Sequence, residues 1–384
     1  MLTEEKKTDP NLGIYLHIPF CRSKCLYCDF CSVPSAKEET VERYIDALCR
    51  QMKYMGERAT NRTVDTVFMG GGTPTFLTAA QLGKIIDQLN GSFNISSDAE
   101  FTVEANPNTF DLHKLTELHA MGVNRMSIGM QSANPEELRL LGRTHRTEEI
   151  KNAVDAVNLA KIDNFNLDLM YGIPSQTVES FEATLNFTAS LSPDHISVYG
   201  LQLEEGTPLC NRREKYVFPT EDEEKEMNRL ALSVLGKNGY GRYEISNYAK
   251  SGKECLHNLR YWKREEYVGL GAAAHSFFEG YRYGTTEDIE EYIKAVETDG
   301  QALYEDRQFI EKDEAAEEYI MLRMRLAEGI SPEEFTAETG YSFTPHAEKI
   351  APFTKSGHIT YQNGRYAFTP EGFDLSNYIL AEIV

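Results

Sequence analysis

Four of the seven cysteines, Cys21, Cys25, Cys28 and Cys31, crowd into one short stretch, while Cys49, Cys210 and Cys255 are scattered. An odd total with one tight group is not a disulfide framework, and in a reducing compartment such a group more often holds a metal or an iron–sulfur centre. The spacing Cys21-x3-Cys25-x2-Cys28 puts three thiolates on one loop. They can bind three irons of a [4Fe–4S] cube and leave the fourth iron without a protein ligand. S-adenosylmethionine (SAM) can chelate that open iron through its amino and carboxylate groups, and an electron from the reduced cluster then cleaves the sulfonium to a 5′-deoxyadenosyl radical. The alternative is structural zinc with Cys31 as fourth ligand, although zinc sites usually arrive as separated Cys-x2-Cys pairs. Cys31 alone also reads as a spare buried thiol, a neighbour of the cluster or a soft ligand for another metal.

A second group of residues suits a ligand's polar end. Gly70-Gly71-Gly72-Thr73-Pro74-Thr75 directly follows the apolar run Val67-Phe68-Met69. Glycines there let backbone amides approach a ligand closely, and a plain tight turn is the competing reading. Glu104, Gln131 and Asp168 close or interrupt three further apolar runs; their polar groups suit ribose hydroxyls and an ammonium group, while Arg143 can pair with a carboxylate. Tyr27, between two of the cysteines, is placed to pack on an adenine.

These residues need a frame that brings them to one edge. From Asn11 to about Ser246, short β-rich runs alternate with longer amphipathic ones, the signature of repeated βα units and a parallel sheet. The predicted strands are Gly13 to Ile18, Thr63 to Met69, Glu100 to Glu104, Arg125 to Met130, Phe165 to Met170 and His195 to Tyr199. Helical patterns begin near Val41, Ala79, Asp111, Thr147, Val178 and Glu223. Ligands of parallel βα folds gather at the C-terminal ends of the strands, where all of these polar residues fall. Six units rather than eight predict an incomplete (βα)6 barrel, TIM-like but open on one side.

The predicted divisions are residues 1–250 for the barrel, 251–310 for a connecting segment and 311–384 for a small C-terminal domain. The last contains a charged helix from about Asp313 to Ala327, then Ser331-Pro332, a favourable N-cap followed by proline at the first helical position. Asn363-Gly364 between Ile359 to Tyr361 and Tyr366 to Phe368 predicts a hairpin, which together with the helices makes a winged-helix-like module. Nucleic acid is an improbable partner, because the chain carries a formal net charge of −21. With 41% hydrophobic and 26% charged residues, and no apolar run near the roughly 20 residues of a membrane span, the composition is that of a globular protein without a transmembrane segment. The opening MLTEEKKTDP resembles neither a secretory signal nor a transit peptide, so the cytoplasm is the expected location.

Tyr15-x-His17-x-Pro19-Phe20-Cys21-x3-Cys25-x2-Cys28, followed by Gly-Gly-Gly-Thr-Pro-Thr, resembles the oxygen-independent coproporphyrinogen III oxidase family of radical SAM proteins. The resemblance implies a cluster on Cys21, Cys25 and Cys28. It implies SAM contacts from Tyr15, Gly71, Gly72, Thr73, Glu104, Gln131, Arg143 and Asp168. The oxidases carry a fourth cysteine two residues after the third, where this chain has Phe30, with Cys31 one step later; they also have a longer N-terminal extension than the fourteen residues before Tyr15. His257-Asn258-Leu259-Arg260-Tyr261-Trp262, with the only tryptophan, is similar to the His-Asn-x-x-Tyr-Trp motif of the family's HemW heme-chaperone branch. That branch implies heme as cargo, acceptors among respiratory or other heme proteins, and a possible homodimer linked to the cluster.

The residues agree in type with this branch. Imidazole ligates heme iron, and Tyr261 and Trp262 can cover an apolar macrocycle. The motif reads equally as a fastener holding a loop over the barrel. Cys255 and His275 are further possible iron ligands, each with a structural alternative. Two functions follow: a carrier that binds heme without turning over porphyrinogen, and an enzyme that converts coproporphyrinogen propionates to vinyl groups, for which cationic side chains would hold the remaining propionates; Arg22 and Lys24 in the cluster loop are candidates that read otherwise as ordinary solvated surface residues. Other SAM-dependent radical chemistry on tetrapyrroles is a third.

Overall fold

The computed structural model describes residues 10–299 and 304–384. The reading of the N-terminal segment falls on residues 1–9, outside the described residues, as do four positions of the predicted connecting segment. The six βα repeats are present: β1 is Asn11–Ile18, β2 Thr63–Gly71, β3 Asn94–Ala105, β4 Arg125–Gln131, β5 Asn164–Tyr171 and β6 His195–Gly200. Every residue of β4 is buried, and β1 buries all but Asn11 and Tyr15. Such near-continuous burial is what a parallel strand covered on both faces requires.

The chain groups into two compact units. The first holds residues 10–129, 148–165 and 265–309. In it β1, β2, β3 and β4 are parallel neighbours, so their C-terminal ends share one edge. On the other side of β1 the sheet continues through Tyr267–Leu270, parallel to it, and then antiparallel through His275–Phe278, Tyr281–Thr285 and Tyr304–Phe309. This extension was not read from the sequence. The helix Glu38–Arg58 turns Val41, Tyr44, Ile45, Leu48, Met52 and Met55 to the core, the three- and four-residue spacing of an amphipathic helix. Tyr44 and Gln51 add buried polar ties: the Tyr44 hydroxyl donates to the His17 carbonyl and accepts from the Ala272 amide, and Gln51 Oε1 accepts from the Gly271 amide.

The second unit holds residues 130–147, 166–264 and 310–384. Here β5 and β6 are parallel, and Asn247–Ala249 adds antiparallel to β6. Thr177 and Thr220 cap the helices Val178–Ser190 and Glu221–Lys237 through reciprocal side-chain and backbone bonds, which fixes where each helix leaves the strand ends. Within this unit the C-terminal segment has its own apolar core, built on Tyr319, Ile320, Phe335, Phe343, Ile350, Ile359, Phe368 and Ile379.

The predicted charged helix is Lys312–Arg323 and stops short of Ala327, because the chain turns there to pair Leu326 with Glu244 while the Ala327 amide donates to the Tyr243 carbonyl. Ser331 caps Pro332–Thr339 as expected. Asn363 and Gly364 both adopt positive φ between Ile359–Gln362 and Arg365–Phe368, the geometry a two-residue hairpin with right-handed strand twist demands. Among the described residues, no helix is long and apolar enough to cross a membrane.

Candidate functional site

The cysteine loop follows β1 and closes on itself just beyond the strand's end. Phe20–Cys21 pairs with Val33–Pro34, and the Val33 and Ser35 amides donate to the Pro19 and Cys21 carbonyls, so the loop is closed at its base. Its upper end is held by His17. The Cys31 carbonyl can only accept, so His17 Nε2–H donates to it at 3.0 Å, and Nδ1 must then accept from the Tyr15 hydroxyl, also at 3.0 Å. Burial depresses the His17 pKa and so favours this neutral ring. Burial, and next the Glu104 charge, push the Tyr15 phenol well up, which keeps its donor proton.

None of the four loop cysteines is in a disulfide, and all four are partly buried. The Cys31 thiol donates to the Glu287 carbonyl at 3.2 Å, the geometry of a fastener rather than of a ligand. Burial raises the Cys28 pKa, and the neighbouring Cys25 and Cys21 thiolates add to it. Cys28 therefore lies within electrostatic reach of both Cys25 and Cys21. Among the described residues no three potential ligands converge on a single metal-ion position. A cubane does not require that, since each thiolate binds a different iron.

The glycine turn sits against this loop. The Gly72 and Thr73 amides donate to the Ile18 and Phe20 carbonyls, joining the end of β2 to the start of the cysteine loop. Gly71 has φ +102, and a Cβ there would lie 2.4 Å from the His17 ring. Its amide donates to Glu104 Oε2 at 3.2 Å, which fixes one oxygen of the carboxylate at the end of β3. Thr73 Oγ1 accepts from Asn106 Nδ2 at 2.9 Å and lies 3.4 Å from Cys21 Sγ. Either group can donate in the Thr73–Cys21 bond while the sulfur is a thiol; to a thiolate the hydroxyl must be the donor. Lys114 Nζ braces the turn by donating to the Thr75 and Thr109 carbonyls. Cys21 is thus joined to Thr73 and Gly71 to Glu104 by hydrogen bonds, while Tyr15 and Gly72 are held by bonds of their own to His17 and the Ile18 carbonyl.

In the second unit β4 ends at Gln131, which is buried with φ +67, a left-handed conformation that costs a long side chain energy and is characteristic of functional sites. The segment after it is over-determined. The buried Glu137 accepts from Ser132, Asn134, Gln176 and Ser180, and His145 Nε2 donates to the Met130 carbonyl at 3.0 Å. The Arg143 amide bonds the Leu138 carbonyl and so belongs to the same braced segment. Asp168, half-buried on β5, accepts from Asn166 Nδ2 at 2.7 Å.

The His-Asn-x-x-Tyr-Trp residues form the short helix Leu256–Trp262, which the sequence had left undefined. His257 is fully buried, and its Nε2 meets the Tyr261 hydroxyl at 2.8 Å one helical turn on. Trp262 is partly exposed and Cys255 fully buried. His275 lies in the first unit at the exposed start of its strand. His17, Asn106, Glu137 and His145 were not singled out from the sequence; of these only His17 lies inside a recognised motif.

The Radical SAM superfamily pattern matches residues 15–188, and the HemN C-terminal domain pattern matches residues 310–375. The heme chaperone HemW of Bacillus subtilis is 36% identical over 331 residues, covering 85% of this chain and 87% of that protein. The chain belongs to the HemW family of radical SAM proteins. The Escherichia coli HemW heme chaperone is also 36% identical, over 86% of this chain and 87% of its own length. The solved structure of the coproporphyrinogen III oxidase HemN from E. coli superposes with a TM-score of 0.87 at 24% identity, over 98% of this chain and 91% of that one, which establishes the radical SAM α/β fold. Membership of the family implies a [4Fe–4S] cluster and SAM, and the thiol loop and glycine turn have the donor types both would need.

Proposed function

We propose that this protein is a heme chaperone that binds heme, holds a [4Fe–4S] cluster on Cys21, Cys25 and Cys28, binds SAM and delivers heme to acceptor proteins. The observation that carries the reading is the His257 to Trp262 motif in a chain whose curated relatives, identical at 36% over most of its length, are named heme chaperones. Phe30 in place of the oxidases' fourth cysteine supports it further, and the reducing cytoplasm suits an unbridged thiol group.

In this reading Gly71 and Gly72 leave room for the SAM amino acid end, Glu104 accepts from its ammonium group, and Thr73 donates to the Cys21 thiolate. Tyr15 and His17 hold the loop at its working height. Gln131, Arg143 and Asp168 are the contacts assigned to the second unit by the family pattern. When bound at the open iron, SAM supplies a sulfonium that one electron can cleave. His257 is the proposed heme ligand, with Tyr261 and Trp262 beside it.

The test is anaerobic incubation of the cluster-loaded protein with SAM, a strong reductant and coproporphyrinogen III, with heme titrated in parallel. Heme binding without protoporphyrinogen is the expected result. Multiple turnovers to protoporphyrinogen would make the protein an oxidase. Replacing Cys21, Cys25 or Cys28 by Ala should abolish the cluster absorbance, and four irons retained per chain would defeat that assignment.

A further inference from the structure

Within the second unit one unbroken series of hydrogen bonds runs from Asp168 to the motif helix. Asp168 Oδ1 lies 2.7 Å from Asn166 Nδ2, Asn166 Oδ1 lies 2.8 Å from His195 Nδ1, His195 Nε2 lies 2.8 Å from the Tyr243 hydroxyl, and that hydroxyl oxygen lies 3.3 Å from the amide of Cys255. Cys255 is the N-cap of Leu256–Trp262.

Every donor in the series is determined by its neighbour. A carboxylate accepts, so the Asn166 amide nitrogen faces Asp168 and its oxygen faces His195. His195 Nδ1 must then carry the proton. In the neutral ring Nε2 then accepts, and the Tyr243 hydroxyl donates to it. The Tyr243 oxygen receives the Cys255 N–H. Ser197 Oγ adds a second donor to Asn166 Oδ1 at 3.2 Å, which blocks an amide flip.

The residues are placed to transmit a change rather than absorb one. Asn166 and Ser197 are buried, and a polar group that loses its partner in such surroundings costs the full desolvation penalty. The Tyr243 backbone is fixed as well, its amide donating to Asn247 and its carbonyl accepting from Ala327. At its far end the motif helix runs into Arg264, whose guanidinium pairs with Glu318 of Lys312–Arg323 at 2.9 Å with both side chains largely buried. The motif helix is thus pinned at both ends, and one of the pins leads to Asp168.

We infer that Tyr243 and His195 are positioning residues that orient Asp168 and tie it to the helix carrying His257, so that SAM binding and heme binding are thermodynamically coupled. This deepens the proposed function and rests on its assignment of Asp168 to SAM and His257 to heme. Asn166 fixes one carboxylate oxygen and thereby sets the direction of the other. A ligand that reorients the carboxylate pulls Asn166, the ring of His195 and the Tyr243 hydroxyl with it, and so loads the N-cap of the motif helix.

The test uses the full-length, cluster-loaded protein, with SAM affinity from equilibrium dialysis and heme affinity from absorbance titration with and without saturating SAM. Linkage requires that SAM alter heme affinity by the same factor that heme alters SAM affinity. Tyr243→Phe should weaken SAM binding by about three- to tenfold, the loss of one buried hydrogen bond, and bring the linkage factor to one while iron content stays at the wild-type level. In the Asp168→Asn background the same change should add nothing. Wild-type protein that binds both ligands with a linkage factor of one overturns the inference, as does a Tyr243→Phe effect that simply adds to that of Asp168→Asn. Wild-type protein that binds neither ligand instead defeats the functional reading beneath it.

Discussion

Glu244 offers a measurable consequence of how the second unit is joined. It is 1% exposed, pairs in a bridge with Leu326 and accepts from the Ser246 amide at 3.1 Å. Burial pushes its carboxyl pKa from the ordinary 4.5 up to about 7, against the opposing pull of the backbone amides of Ser246, Asn247 and Ile245 and the Asn247 side chain. The folded state therefore prefers the protonated acid. A group raised in this way contributes its stability in full below pH 4.5 and loses it as pH rises through 7. At about 1.4 kcal/mol per pH unit, the span from 4.5 to about 7 corresponds to ~3 kcal/mol.

Glu244→Gln keeps the shape and an acceptor oxygen but cannot ionise. Urea unfolding of both proteins between pH 5 and pH 8 isolates the effect, because every other titrating group cancels in the difference. Wild type should lose roughly 3 kcal/mol relative to the variant across that window. A difference that stays flat, or that grows in favour of wild type with rising pH, refutes the argument that burial outweighs the hydrogen bonds to this carboxyl.

Two further substitutions probe the site. Gly71→Ala forces a side chain into φ +102 and against the His17 ring, so it should release the cysteine loop and weaken SAM binding by at least about tenfold, read by equilibrium dialysis of cluster-loaded protein. Glu137→Ala removes the acceptor shared by Ser132, Asn134, Gln176 and Ser180 and should cost about 3 kcal/mol in urea unfolding, whereas a loss below 1 kcal/mol would show that water replaces the carboxylate.

The parallel βα core was legible because β1, β4, β5 and β6 are short apolar runs with few polar interruptions, and the helices between them keep a clear amphipathic spacing. The strands from Tyr267 to Phe309 were not. They are short, and the last three, which add antiparallel toward the sheet's edge and have less surface to bury, carry mixed polarity such as Tyr281-Arg282-Tyr283. The cysteine loop and glycine turn were legible as chemistry, since their residue types and spacing have few other uses. Their supports were not: His17, Asn106 and Glu137 act through side-chain hydrogen bonds, several of them made at long sequence separation, which leave no periodic trace. His195 and Tyr243, separated by 48 positions in the chain, could be joined only by the fold.

The burial of His257 constrains how heme can be taken up. An imidazole that is 0% exposed, with its Nε2 against the Tyr261 hydroxyl at 2.8 Å, presents no ring nitrogen to a macrocycle from outside. If His257 is the ligand, heme loading must separate the two rings and tilt the helix that bears them, and the bonds at Cys255 and Arg264 resist that tilt. Tyr261→Phe removes the hydroxyl while keeping the ring and its edge-to-face contact, whose centroids lie 5.1 Å apart. The cost of opening should then fall by about 1 kcal/mol, and heme association followed by stopped-flow absorbance should quicken about fivefold. His257→Ala should remove the slow opening step together with the ligand. Association no faster in Tyr261→Phe, or a heme spectrum unchanged in His257→Ala, would return the motif to the role its geometry already displays, that of a fastener between the barrel strands and the C-terminal helix of the second unit.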